Sequence, residues 1–274
     1  MEKSSWLGIL VAIGGVLGGM AIDGGKIMQI VQPSAALIVF GGTLGAILLQ
    51  FPMATVLTAF RALPSVFVPA GEHLEKQLEQ ILAFAQKARK LGIVSLDADL
   101  GAVNDPFLQK ALMLAIDGTD SQDLRGIMEL EIDNLAERAE RVPKVFEAAG
   151  GYAPTVGILG AVLGLIEVMQ HLNNISEVGR GIAVAFVATI YGVASANLFY
   201  LPVAGKLKHY ADDAAKAREM VLEGTLSILE GMNPRMLETK LRAYCGAESK
   251  APAAKDPEAA EAPNMAGAPS QAAG

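Results

Sequence analysis

Few residues of this chain have the type and spacing that bond chemistry requires. The three histidines, His73, His171 and His209, are scattered, and no Cys/His spacing fits a zinc site. Neither a phosphate-binding glycine loop nor a nucleophile–base pair occurs, so no enzyme, metal or cofactor chemistry is expected. The single cysteine, Cys245, excludes an internal disulfide. What remains is a small polar set inside long apolar runs: Thr155, Glu167 and Thr189, with Pro154 and Pro202. Polar groups in such runs cost energy and mark function. Thr189, Gly192 and Ala196 fall at i, i+3 and i+7, one stripe of a helix, which suits a wet path or a partner's helix. Either threonine can instead bond a carbonyl of its own helix. Pro154 and Pro202 each remove an amide donor and can bend their helices. Glu167 lies 13 residues beyond Pro154, about 20 Å along a helix, with His171 one turn further on the same face. That pair reads as interfacial, reaching headgroups or water, with proton carriage as the second reading.

The elements that hold these residues follow from charge segregation. Of 274 residues 52% are hydrophobic and 19% charged, with mean hydropathy +0.37, and residues 27–60 carry no charge at all. Uncharged apolar runs of about 18 residues or more mark membrane spans. Four are expected: 1–22 (apolar from Trp6), 34–51 with Pro33 in its first turn, 150–172 and 181–205. Short loops join them into two hairpins. The first run resembles a signal peptide, but Asp23-Gly24-Gly25 turns into a second apolar run rather than a polar mature chain. Residues 52–149 are expected to form a helical loop domain. In it, 72–91 is amphipathic, with Leu74, Leu78, Ile81, Leu82 and Ala85 on one face, and Gly92 ends it. Helices over 107–117 and 121–147 follow. Polar helices fill 206–246, interrupted at Gly231-Met232-Asn233-Pro234, and the Ala/Pro/Glu-rich tail 247–274 reads as disordered.

Orientation follows from Lys and Arg. Ten lie in 52–149 and nine in 205–274, while only Lys26 and Arg180 stand near the hairpin loops. The positive-inside rule puts both termini and the large loop in the cytoplasm. A net charge of −7 argues against a nucleic-acid partner. Asn174-Ile175-Ser176 matches a glycosylation sequon in an outward loop, a pattern often met by chance. Small residues crowd the spans, among them Gly157, Gly160 and Gly164 in the third and Gly192 and Ala196 in the fourth. They allow close helix approach, either within the chain or to another chain's helix. The second use is the sharper expectation.

Several segments are recognisable. Ala88-Arg89-Lys90-Leu91-Gly92 with Ser95-Leu96-Asp97, Gly151-Tyr152-Ala153-Pro154-Thr155-Val156-Gly157 and Gly181 through Gly192 to Leu201-Pro202 resemble the MotA subunits of flagellar motor stators. So do Glu223-Gly224 and Glu230-Gly231-Met232-Asn233-Pro234-Arg235. The broader group includes the energisers ExbB and TolQ, usually three-span chains, and the extra first hairpin favours MotA. The resemblance implies an all-α membrane protein of the bacterial inner membrane, forming a homopentameric ring around two helices of a MotB-like single-span subunit. That partner supplies the proton-carrying aspartate and a peptidoglycan anchor. It further implies that Pro154, Thr155, Ala161, Thr189 and Pro202 serve the ion path and its coupling, and that Arg89 and Asp97 engage the rotor switch protein. The family acid at Asp97 is often Glu, one methylene longer. Ala161 stands where sodium-type members carry threonine, which favours protons. Glu167 has no counterpart role. An ExbB/TolQ-type energiser and a passive scaffold are the alternatives.

Overall fold

The structure is a computed structural model that describes residues 3–68 and 73–245. Helices account for all regular structure among the described residues: α1 (Lys3–Ile22), α2 (Pro33–Gln50), α3 (Met53–Ala62), α4 (His73–Leu91), α5 (Pro106–Ile116), α6 (Ser121–Gln170), α7 (Ile175–Leu229) and α8 (Pro234–Arg242). A long 3-10 segment, Ile93–Ala102, links α4 to α5. The expected tail, 247–274, lies outside the described residues, as does the first residue of the helix expected over 72–91.

Starts are set by side-chain caps. Asp105, Asp120, Asn174 and Asn233 each accept the amide of the residue two ahead, at 2.9–3.2 Å, satisfying an otherwise orphaned donor. Pro106 and Pro234 take the first helical position, where no amide is needed. Asn174 is therefore the cap of α7, and its carbonyl oxygen also accepts the Ser176 hydroxyl at 2.8 Å. The sequon has a local structural explanation.

Four helices are long and apolar enough to cross a membrane: α1, α2, the second half of α6 and the first half of α7. Two sequence-drawn boundaries dissolve. The helix expected over 121–147 and the span expected from 150 form one 50-residue helix, about 75 Å long. The span ending at 205 and the polar helix beyond it are likewise continuous in α7. Gly150-Gly151 reads as a break, yet Gly150 is buried because a Cβ there would lie 2.5 Å from Leu201. Glycine serves close approach at that point, not a turn. The loop between the spans is correspondingly shorter than expected, with α6 ending at Gln170 and α7 starting at Ile175.

Pro143 and Pro154 lie inside α6 without ending it, whereas Pro202 is met by a π turn over Ala196–Tyr200. There the Leu201 amide donates to Ala196, five residues back, an adjustment typical of helices that must absorb a proline. A second π turn, Leu37–Gly41, interrupts α2.

Apolar side chains gather in three places. A polar-side core joins Ile81, Phe84, Leu96, Leu108, Leu112, Leu124 and Met128 to Met220, Leu237 and Leu241. A cluster at the base of the spans joins Ile47, Val56, Ala59, Phe146 and Val203. Between α2 and α7, Ala35 and Val39 meet Val184, Val187 and Ala188. Elsewhere the spans are bare: the most apolar stretch of α1 is wholly unburied, and Leu49 is 91% exposed. Such surface needs lipid or other chains around it.

Two polar devices tie this frame together. The Tyr191 hydroxyl donates to the Ile30 carbonyl at 2.5 Å and accepts the Gln32 amide at 3.3 Å, clasping the first hairpin loop onto α7. Loss of the hydroxyl leaves two half-buried backbone groups without this partner, each at less than the roughly 1–3 kcal/mol of a fully buried group. Tyr191→Phe, which keeps the ring stacked on Phe40 at 5.8 Å, is expected to lower the thermal midpoint and to speed proteolysis between residues 23 and 32. An unchanged cleavage rate would dismiss the clasp.

On the polar side, Glu223 of α7 receives Arg125 of α6 at 2.8 Å and Lys240 of α8 at 2.6 Å. Burial raises its carboxyl, but the hydrogen bonds from Lys240 and Arg125 outweigh that and hold it below the ordinary carboxylate value of 4.5. A depressed carboxylate stabilises the fold above its unfolded pKa, and that contribution fades as pH falls through the folded value. The polar domain is therefore expected to lose stability as pH drops below about 4.5, and Glu223→Gln to flatten this dependence in a pH series of urea melts. Gly224 beside it allows α4 to approach, since a Cβ would lie 2.7 Å from Ile81. The Glu223-Gly224 pair is thus a joint between helices.

Candidate functional site

The third and fourth spans are held together by a seam of small residues. A Cβ on Gly157 would lie 2.9 Å from the Ala188 carbonyl, one on Gly164 2.7 Å from the Gly181 carbonyl, and one on Gly192 2.5 Å from the Ala153 carbonyl. Gly160 faces the Ala188 methyl at 2.7 Å and Ile38 of α2 at 3.3 Å. Those at Gly157, Gly164 and Gly192 are approaches to backbone that only glycine permits, as expected where packing drives helix association in lipid.

This corrects the expectation for Gly157, Gly160, Gly164, Gly192 and Ala196. All five are buried inside the chain, so they do not form a surface for a partner's helix. Of the stripe from Thr189 through Gly192 to Ala196, the last two are buried within the chain and only Thr189 stays half-buried. What α6 does present outward is an apolar face beside Thr155, including Ile158, Leu159 and Val162, each about half exposed.

Both hydroxyls are satisfied within their own helices. Thr155 Oγ1 donates to the Tyr152 carbonyl at 2.8 Å and Thr189 Oγ1 to the Ala185 carbonyl at 3.1 Å. Thr189 nevertheless borders open space, a cavity between α7 and Val16 of α1. Ala161 is half-buried on α6. The two prolines are not level with each other: Leu201 packs on Gly150, which sets Pro202 about five residues, roughly 7 Å, nearer the polar domain than Pro154. Pro202 lines a second cavity with Ser5 and Lys206, while Pro154 sits half-buried beside the glycine seam.

Glu167 and His171 do not pair through the carboxylate. His171 is the C-cap of α6, and its Nδ1 meets the Glu167 backbone carbonyl at 3.0 Å. Sequence reading passed over Thr43, whose hydroxyl is 1% exposed and without a hydrogen-bond partner. Thr58, Thr225 and Thr239 all donate to the carbonyl four residues back. Thr43 follows the π turn of α2, which displaces that carbonyl ladder. No periodicity in the sequence signals it.

Far from the spans, Arg89 and Asp97 stand exposed at either side of a tight turn. Gly92 makes the turn with φ +84°, a left-handed conformation that costs glycine little. Ser95 Oγ closes it onto the Gly92 carbonyl at 2.6 Å, and Lys87–Asp99 at 2.6 Å clamps the 3-10 segment to α4. Arg89 and Asp97 make no ion pair among the described residues. No group of three or more His, Cys, Asp or Glu among the described residues is placed to hold a metal.

Comparison with known proteins meets this arrangement at every level. Residues 100–220 match the model of the MotA/TolQ/ExbB proton channel family, and residues 6–92 match that of the Motility protein A N-terminal region. Motility protein A of Bacillus subtilis (strain 168) is 35% identical over 264 residues, covering 94% of this chain and 96% of that protein. A chain of the C. jejuni MotAB structure superposes with TM-score 0.85 at 29% identity, covering 90% of this chain and 97% of its own. A chain of the flagellar MotAB stator complex from Bacillus subtilis does so with TM-score 0.82 at 35% identity, covering 89% and 97%. Sequence motifs, four apolar helices and a helical polar domain thus converge, and the chain belongs to the MotA/TolQ/ExbB proton channel family.

Proposed function

We propose that this chain is the stator subunit of a flagellar motor, which turns ion flow across the inner membrane into torque. The reading is carried by one feature: α6 and α7 are unbroken from the glycine-sealed spans into the core that presents Arg89 and Asp97. A rigid element joining membrane to exposed charges is what transmission of a step requires. The match to both family segments and to the two stator structures supports the motor over an ExbB/TolQ-type energiser.

In this reading five copies surround two helices of a MotB-like subunit, which brings the titrating aspartate and the peptidoglycan anchor. Both termini and the polar domain lie in the cytoplasm, in keeping with the Lys and Arg asymmetry. The partner's helix meets the outward face of α6 near Thr155, Ile158 and Val162 rather than the glycine seam. Thr189, Pro154 and Pro202 lie along the coupling route. With Ala161 in place of a hydroxyl, the ion is a proton. Each charge crossing 100 mV releases about 2.3 kcal/mol, enough to bias a choice between two packings near the prolines and the π turn. Arg89 and Asp97 then push on the rotor switch protein.

The test is co-production with a MotB-like subunit in a motile host lacking its own stators. Swimming should be restored, collapse with a protonophore and ignore the sodium concentration. Sodium-dependent swimming would overturn the proton assignment, and failure to swim with the complex inserted would overturn the motor.

A further inference from the structure

A cleft separates α1 from the π-turn half of α7. Its outer part, about 360 Å³, is walled by Ser5, Gly8, Ile9 and Ala12 of α1 and by Leu198 and Pro202 of α7. Its deeper part, about 440 Å³, continues past Asn197 and Leu198 to Val16 and Thr189. Ser5, Ile9, Ala12 and Val16 form one face of α1. A Cβ on Gly8 would meet no atom within 4 Å, so this face stands off α7 instead of packing on it.

Length and charge identify what fits. From Ser4 to Val16 the cleft follows twelve residue steps, about 18 Å of helix. One leaflet of hydrocarbon is about 15 Å deep. The end nearer the polar domain carries the Lys206 ammonium, which hydrogen-bonds Ser5 Oγ and stands 5.8 Å from the Tyr210 ring centre. Ser5 Oγ in turn donates to the Val66 carbonyl at 2.9 Å. Trp6, its ring 5.0 Å from that of Phe67, marks this level as the headgroup layer, where tryptophan collects. A slot one leaflet long, apolar along its length and cationic at the headgroup end, complements a phospholipid.

We propose that this cleft is a site for an anionic phospholipid of the leaflet on the polar-domain side, with an acyl chain along α1 and its phosphate against Lys206. The lipid acts as a wedge that keeps α1 off the π turn and Pro202. The cleft shares Thr189 and Pro202 with the coupling route proposed above, but its test reads bound lipid and not motility, so either reading can fail without the other.

The test measures phospholipid retained by the full-length chain after mild extraction and exhaustive detergent washing, by lipid mass spectrometry. The wild-type chain should keep a stoichiometric complement enriched in phosphatidylglycerol. Gly8→Leu combined with Ala12→Leu fills the slot and should cut retention at least about fivefold. Gly14→Leu with Gly18→Leu, turned away from the cleft-lining face of α1 and likewise with nothing within 4 Å of a Cβ, should leave retention unchanged and controls for insertion. Lys206→Gln should keep lipid but lose the preference for phosphatidylglycerol over phosphatidylethanolamine by about fivefold. Lipid-free wild-type chain, full retention by the filled slot, or a benzophenone at Ala12 that crosslinks to another protein chain instead of lipid would each overturn the site.

Discussion

Gly192→Val is expected to abolish motility and to deplete the chain from the membrane. A Cβ at Gly192 would lie 2.5 Å from the Ala153 carbonyl oxygen and 3.1 Å from the Gly157 Cα. Both neighbours are backbone, so no side chain can swing aside and the two spans must separate. Overpacking of this kind costs about 1–3 kcal/mol where side chains yield, and a backbone clash belongs at the upper end. The seam's other contacts, Gly157 to Ala188 and Gly164 to Gly181, would be strained in turn. Gly14→Val is the matched control, because nothing lies within 4 Å of a Cβ there. Immunoblots of membrane fractions and a thermal aggregation midpoint should show a large loss for Gly192→Val and little for Gly14→Val. Equal abundance and equal midpoints would mean that the two spans are not sealed by glycine.

Arg89→Glu should produce the opposite dissociation, with abundance intact and torque lost. Arg89 is exposed and makes no ion pair among the described residues, so its reversal leaves the fold untouched. An exposed charge contact is worth about 0–1 kcal/mol. Reversal replaces attraction by repulsion and so moves each engagement by roughly twice that, several-fold in occupancy. Because engagement repeats at every step, swimming should fall well below wild type and worsen as salt is lowered, since screening over about 10 Å at 0.1 M softens the repulsion. Ion leak through a deregulated complex should persist. Disappearance of the leak together with the torque would place Arg89 in the conduit rather than at the rotor.

The residues differ in how far their roles could be read ahead. Thr155 and Thr189 were visible as hydroxyls in apolar runs, and the local geometry of a helix already offers each an acceptor, which the structure shows in use. Tyr191 carried no such signal, because its partners, Ile30 and Gln32, lie some 160 positions away in the chain. Thr43 was equally silent: its orphaned hydroxyl results from a π turn, and no residue pattern in Leu37–Gly41 announces one.

By itself the sequence determined what water and lipid will tolerate: four apolar runs, the charged blocks between them, and the turns at Gly92 and Gly231. These are local matters, fixed by transfer energies and by backbone sterics within a few residues. Only the tertiary structure decided that Gly150 continues a 50-residue helix, that the small-residue stripes face each other inside one chain, and that Pro154 and Pro202 stand at different depths. Those outcomes depend on the register between helices distant in sequence. Register is set by which surfaces interlock at contact distance, and a stripe of glycines is compatible with any neighbour until one is seated against it.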